Sequence, residues 1–152
     1  MTKLNLDKIQ AKGNGNIVSV VADATVLKNG ALVALGDLLD GEREQFAAVA
    51  PTDDAELLLV SAPEVKYDES LNQLDFETKA GVPVRAYHLK KGDMFQVEQV
   101  LFAVTPVKGT VVTGNATHGY KVATGTEKTT FKVEALTKFG YDRRAMALLR
   151  VL

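Results

Sequence analysis

Arg85-Ala86-Tyr87-His88-Leu89-Lys90-Lys91-Gly92-Asp93-Met94-Phe95-Gln96-Val97 (residues 85–97) sets two alternating apolar/polar runs on either side of a short turn, Lys90-Lys91-Gly92-Asp93. The pattern predicts a β-hairpin: strand side chains alternate between faces, and glycine supplies the backbone freedom of a tight reversal. The same pattern recurs to either side. Residues 17–21 are mostly β-branched and predict a strand, and Asn29-Gly30 between the apolar pairs of 25–33 predicts a tight hairpin. Leu57-Leu58-Leu59-Val60, within 55–61, is a continuous apolar run suited to a strand buried on both faces.

Period-two alternation marks two further half-buried strands. In one, Leu74, Phe76 and Thr78 alternate with Asp75, Glu77 and Lys79; in the other, Phe131, Val133, Ala135, Thr137 and Phe139 alternate with Lys132, Glu134 and Lys138. Residues 110–113 and 120–124 predict a hairpin across the connection 114–119, and the central hairpin is expected to run on through 98–104. Over 36–50 the spacing of Leu35, Leu38, Leu39, Phe46 and Val49 is roughly helical but is interrupted by Gly41, which leaves a short helix and an irregular loop both open. Residues 141–152 fit a helix or a strand, and the short β units before them favour a terminal strand. The expected fold is mainly β: a compact antiparallel β-sandwich or β-barrel with hairpins and at most one or two short helices. An extended N-terminal arm and hinge (1–16), with Gly13 and Gly15 at the hinge, precede a single β-rich domain (17–152).

Composition narrows the function classes. A chain of 152 residues can bury a core without metals or disulfides. With 18 basic and 19 acidic side chains the net charge is −1, so no net field draws in phosphate backbones or anionic lipid, and neither nucleic acid nor membrane is expected as a partner. There is no Cys, hence no thiol nucleophile or thiolate metal site. No apolar run approaches the roughly 20 residues that span a bilayer, and the first nine residues lack a signal-peptide core. A soluble product made in the cytoplasm is expected.

Motifs that carry chemistry are sparse. His88 and His118 are the only histidines, and neither has a second His at a ligand spacing, so no metal site is expected. No Gly-x-Ser-x-Gly elbow supports a catalytic triad. Gly125-Thr126-Glu127-Lys128-Thr129-Thr130 imitates a phosphate loop, but Glu127 puts negative charge where phosphate would sit. The acidic stretch Asp37, Asp40, Glu42, Glu44 lacks the ordered ligand pattern of a calcium loop, and Asp68 with Glu69 has no opposing catalytic group. Asn115-Ala116-Thr117 fits the glycosylation pattern by chance, and Arg143, Arg144 and Arg150 form a basic cluster that could contact a phosphate or an acidic protein surface, with the chain's own carboxylates or solvent the preferred partners. No catalytic residue and no cofactor is expected. Leu4, Leu6 and Ile9 lie on a segment too short for its own core, so they either fold back or dock onto another subunit by strand addition.

The succession Leu27-Lys28-Asn29-Gly30-Ala31-Leu32-Val33-Ala34-Leu35-Gly36, then Leu59-Val60-Ser61-Ala62-Pro63-Glu64-Val65, then 85–95, resembles small virion proteins of tailed bacteriophages, most nearly the capsid decoration or head-stabilising proteins. The resemblance runs through most of 17–152. It implies a non-enzymatic protein on the capsid exterior, bound to the major capsid protein and in some cases to itself as a homotrimer, with Leu4, Leu6 and Ile9 as expected capsid contacts. Other readings are a tail or head-fibre component, a β-barrel module that binds a ligand or peptide, and an enzyme.

Overall fold

The structure, a computed structural model, describes residues 4–5, 17–64 and 77–152. Its strands are β1 (Leu4–Asn5), β2 (Ile17–Val21), β3 (Leu32–Leu38), β4 (Gln45–Val49), β5 (Leu57–Val60), β6 (Val84–His88), β7 (Met94–Glu98), β8 (Val111–Gly114), β9 (Tyr120–Val122), β10 (Phe131–Phe139) and β11 (Arg144–Val151). A 3-10 turn, Gln99–Leu101, follows β7. Two sheets result. One is a closed barrel in the order β2-β4-β3-β5-β6; the other is an open sheet in the order β1-β7-β11-β10-β8-β9. Strands pair antiparallel throughout except β2 with β4. The mainly β fold is as the residue patterns predict.

β5 explains how the two sheets share one molecule. All four of its residues are buried. Leu57 and Leu59 enter a core between barrel and open sheet, with Phe95, Val97, Tyr120, Phe131 and Leu149. Leu58 and Val60 enter the barrel interior, with Val20, Val33, Val84 and Ala86. The unbroken apolar run is thus a strand that is wall to two cores, each buried leucine contributing about 1.5–3 kcal/mol. β3 repeats the arrangement, with Leu32 in the shared core and Val33 in the barrel.

The hairpin predicted over 85–97 is not formed. β6 pairs with β2 and β5 in the barrel, whereas β7 pairs with β1 and β11 in the open sheet. The turn itself is present: the Asp93 N–H donates to the Lys90 carbonyl at 2.9 Å, the Lys90 N–H to Asp93 Oδ2 at 2.8 Å, and Gly92 takes φ 93°. It acts as a crossover between sheets, pinned to the C-terminal strand by Gly92 N–H to the Val151 carbonyl and Val151 N–H to the Asp93 carbonyl, both 2.9 Å. Closure of the barrel is the reason. β6 already has a neighbour on each side, so β7 must find its partner elsewhere, and Phe95 and Val97 are buried in the core shared with the open sheet.

The hairpin predicted at Asn29-Gly30 is corrected in a similar way. The Ala31 N–H donates to the Lys28 carbonyl at 3.0 Å, but only Gly30 has positive φ (91°), the pattern of a type II turn, and residues 25–28 form no strand. Asn29 is buried and uses its side chain as a strand would use its backbone, donating from Nδ2 to the Ala62 carbonyl (3.0 Å) and accepting the Ala62 N–H at Oδ1 (2.8 Å). The helix or loop expected over 36–50 is replaced by the end of β3 and by β4, because pairing of β4 with both β2 and β3 outweighs the helical spacing. β7 ends at Glu98, so the predicted continuation to 104 is absent. Of the strand expected near 74–79, Leu74 and Phe76 lie outside the described residues, and Thr78 is buried without being in a strand. Strands form as expected at 17–21, 57–60 and 131–139, the 111–122 hairpin is present, and the C-terminal segment is a strand paired with β10.

Tyr120 is fully buried. Its hydroxyl donates to the Gly30 carbonyl at 2.8 Å, joining open sheet to barrel, and burial pushes its pKa well above the ordinary tyrosine value. Its ring stacks on Phe102 at 4.8 Å and meets Phe131 edge-on at 6.1 Å. Tyr120→Phe should keep the rings packed but strand the Gly30 carbonyl, lowering stability by about 1–3 kcal/mol in urea unfolding. A loss below about 0.5 kcal/mol would show that the bond does not tie the sheets together.

Candidate interaction surface

The residues singled out for chemistry are mostly engaged within the chain. His88 Nδ1 lies 3.1 Å from Glu56 Oε1 on a partly exposed strand end. His118 Nδ1 lies 2.9 Å from the Leu32 carbonyl while its own carbonyl accepts the Leu32 N–H at 2.9 Å. Arg144 pairs with Asp142 (2.6 Å) and Glu98 (3.5 Å), and Arg150 with Glu134 (2.7 Å). These bonds hold the Asp142 and Glu134 carboxyls below their ordinary values and raise Arg144. Asn115 Oδ1 accepts from Thr117 N–H (2.9 Å), Thr117 Oγ1 (2.7 Å) and Gly119 N–H (2.9 Å), so the apparent glycosylation site is a turn-forming side chain. Asp68 and Glu69 lie outside the described residues, and among the described residues no three His, Asp or Glu side chains gather as metal ligands.

The false phosphate loop has a physical explanation. Glu127 accepts at Oε1 from Thr124 N–H (2.7 Å) and Thr124 Oγ1 (2.9 Å), and at Oε2 from Gly125 N–H (2.8 Å). Successive backbone N–H groups make an anion nest, and the chain's own carboxylate fills it.

One surface open to a partner is apolar. Val100, Val104 and Val107 are 66%, 66% and 63% exposed on the segment joining β7 to β8, and Val122 is 53% exposed on β9. A groove of about 140 Å³ runs between Phe102, Val104, Pro106, Val107, Tyr120 and Val122. A second, of about 240 Å³, lies between Val26, Val100, Leu101 and His118. β9 ends the open sheet at the side opposite β1, and its outer side is bridged at Tyr120 by Phe102, with the Ala103 N–H donating to the Tyr120 carbonyl at 2.9 Å. The Asn115 N–H bonds to the Gly119 carbonyl and the Ala123 N–H to the Val111 carbonyl, and this alternation directs the backbone N–H and C=O of Val122 away from β8, toward the open edge. Single exposed apolar residues are ordinary, but three such valines within eight positions beside a sheet edge form a surface suited to association. Sequence reasoning missed it by reading 98–104 as a continuing strand. The available signal was the spacing Val100, Val104, Val107 around Pro106.

The arm residues divide. Leu4–Asn5 is an edge strand on β7 of its own chain, in the register Leu4 to Val97 and Asn5 to Gln96, so at these two positions the backbone folds back. Leu6 and Ile9 lie outside the described residues.

Glu127 supplies a pH test. Its bonds from Thr124, backbone first, hold the carboxyl down at about 2. A carboxylate depressed in the folded state stabilises the loop fully above its unfolded pKa of about 4.3, and that contribution is lost as pH falls toward the folded value. An NMR titration should show the Glu127 side chain still ionised at pH 3, and Glu127→Ala should speed amide exchange at Thr124 and Gly125. A midpoint near 4.3 would contradict the nest. Set against known proteins, the chain matches no family profile, no curated protein and no solved structure.

Proposed function

We propose that this protein is a bacteriophage capsid decoration protein, a non-enzymatic cement that binds the outer surface of the assembled head. The observation that carries the reading is the exposed valine surface at the β9 edge, displayed on a scaffold whose two cores close without it. A cement works by area: modest apolar contacts, repeated over many copies on one shell, add up to a large gain in particle stability. The partner is the major capsid protein. Leu4–Asn5 lies folded back as the end strand of the open sheet, so the arm residues Leu4, Leu6 and Ile9 would add a second attachment by offering a partner strand that outer edge, and homotrimer formation would multiply both.

The barrel is a poor candidate for a ligand-binding module, because Val20, Val33, Leu58, Val60 and Val84 occupy its interior. A tail or head-fibre role uses the same adhesive surface and differs only in location. Purified protein titrated onto expanded shells that lack it should bind saturably and raise their resistance to heat. Val104→Asp with Val107→Asp should weaken that binding at least tenfold, about 1.4 kcal/mol, with the fold intact by circular dichroism. Deleting residues 1–12 should weaken it as well. Absence of saturable binding would remove the decoration role, and turnover of a metabolite abolished by one side-chain change would make the protein an enzyme.

A further inference from the structure

We propose that copies of this chain associate head to tail, the tip of the β10–β11 hairpin of one copy seating in a groove beside β2 of the next. Tyr141 stands at that tip and is fully exposed. Arg143, two positions on, takes φ 52°; among the described residues only His118 shares this left-handed region without being glycine. His118 is held there by its bonds to Leu32. Arg143 has the turn bond from its N–H to the Gly140 carbonyl at 3.1 Å, but its exposed guanidinium meets no partner among the described residues. The turn itself is firm: Asp142 accepts from Arg144 Nε at 2.6 Å, and Arg144 reaches Glu98 on β7 at 3.5 Å. Asp142 and Arg144 therefore serve the hairpin, while Tyr141 and Arg143 do nothing for it. A strained position that glycine would relax points to a use for the side chain it keeps, and Tyr and Arg are the residues that most often anchor interfaces.

The receiving groove follows from the parallel pair in the barrel. Because β2 and β4 run the same way, the start of β2 lies beside the connection that leads into β4, with Ser19 opposite Gln45. A groove of about 430 Å³ opens there between Ile17, Val18, Arg43, Glu44 and Phe46, and an adjoining space of about 410 Å³ continues past Gly41 and Glu42. Ile17, 50% exposed, and the half-buried Phe46 give it apolar area, and its volume is ample for one tyrosine ring. Asp37, Asp40, Glu42 and Glu44 are exposed on this connection, and none makes an ion pair among the described residues. The hairpin tip carries the opposite sign, since Lys138 and Arg143 are exposed and unpaired while Asp142 is matched by Arg144. Tyr141 would enter the groove with its ring over the Arg43 guanidinium, and Arg143 with Lys138 would meet Glu42 and Glu44. Tip and groove belong to different sheets, so the contact is heterologous: it repeats from copy to copy and closes into a ring or runs on as a filament. The inference stands apart from the decoration reading, and its test uses free protein.

One aromatic anchor with one or two ion pairs makes a small interface, so sedimentation velocity should show the wild-type chain associating between about 10 µM and about 1 mM, less strongly as salt is raised. Y141A/R143A loses the tip and E42Q/E44Q loses the groove, so each alone should stay monomeric over that range with its circular dichroism unchanged. Mixed in equal amounts, they retain one intact tip and one intact groove between them and should form a heterodimer that grows no further. Arg143→Gly separates binding from folding: glycine relaxes the turn, so this variant should unfold at higher urea yet associate at least tenfold more weakly. A wild-type chain monomeric at every concentration would overturn the inference and leave the tip to a different acidic protein. Association that survives in either double variant, or a mixture that stays monomeric while wild type associates, would place the contact elsewhere. A loss of stability in Arg143→Gly would assign that side chain to the fold and overturn its role as an anchor.

Discussion

Leu57, Leu58, Leu59 and Val60 are each buried almost completely, and they do not share one core. Alternation along β5 sends two of them into the barrel and two into the space between barrel and open sheet. Were either face polar, one core would lose its wall, and the barrel and open sheet would become two small units with little apolar surface each. The same constraint places Leu32 and Val33 on opposite faces of β3. Shared walls make the molecule one rigid scaffold from short strands.

Polar clamps at the seam set the orientation that apolar packing leaves loose. The Tyr120 hydroxyl reaches Gly30, the imidazole and carbonyl of His118 both engage Leu32, and Asn29 extends the barrel edge to Ala62. His118 adopts φ 62°, a conformation costly for a residue with a Cβ, at about 1–3 kcal/mol for a strained position. Its two bonds to Leu32 offset that cost by fixing the 115–119 connection against the barrel. The only two histidines therefore sit in structural contacts: His88 on the barrel beside Glu56, His118 at the seam.

With both cores closed, the exposed side chains of Val100, Val104, Val107 and Val122 lie outside them, and this makes their surface the place where association can occur at little cost to stability. Its position beside Val122, whose backbone groups point away from β8 beyond the bridge that Phe102 makes to Tyr120, lets backbone and side chains act together, the backbone supplying register and the valines supplying area. Ionised groups contribute less, since Arg144 and Arg150 face carboxylates of their own chain.

Alternation and turn chemistry in the sequence alone determined the strands at 17–21, 57–60 and 131–139, the 111–122 hairpin, the reversals at Gly30 and Gly92, and the double burial of β5. These are local properties, written in side-chain period and backbone freedom. Which strands become neighbours was decided by tertiary structure. A closed barrel gives each of its strands two partners and obliges the next strand to leave, so the clearest hairpin signal in the chain became a crossover, and helical spacing over 36–50 yielded to pairing with β2 and β3. The valine surface was hidden for the same reason: a valine is apolar in the sequence whether its face is covered or open, and only the arrangement of the sheets decides which.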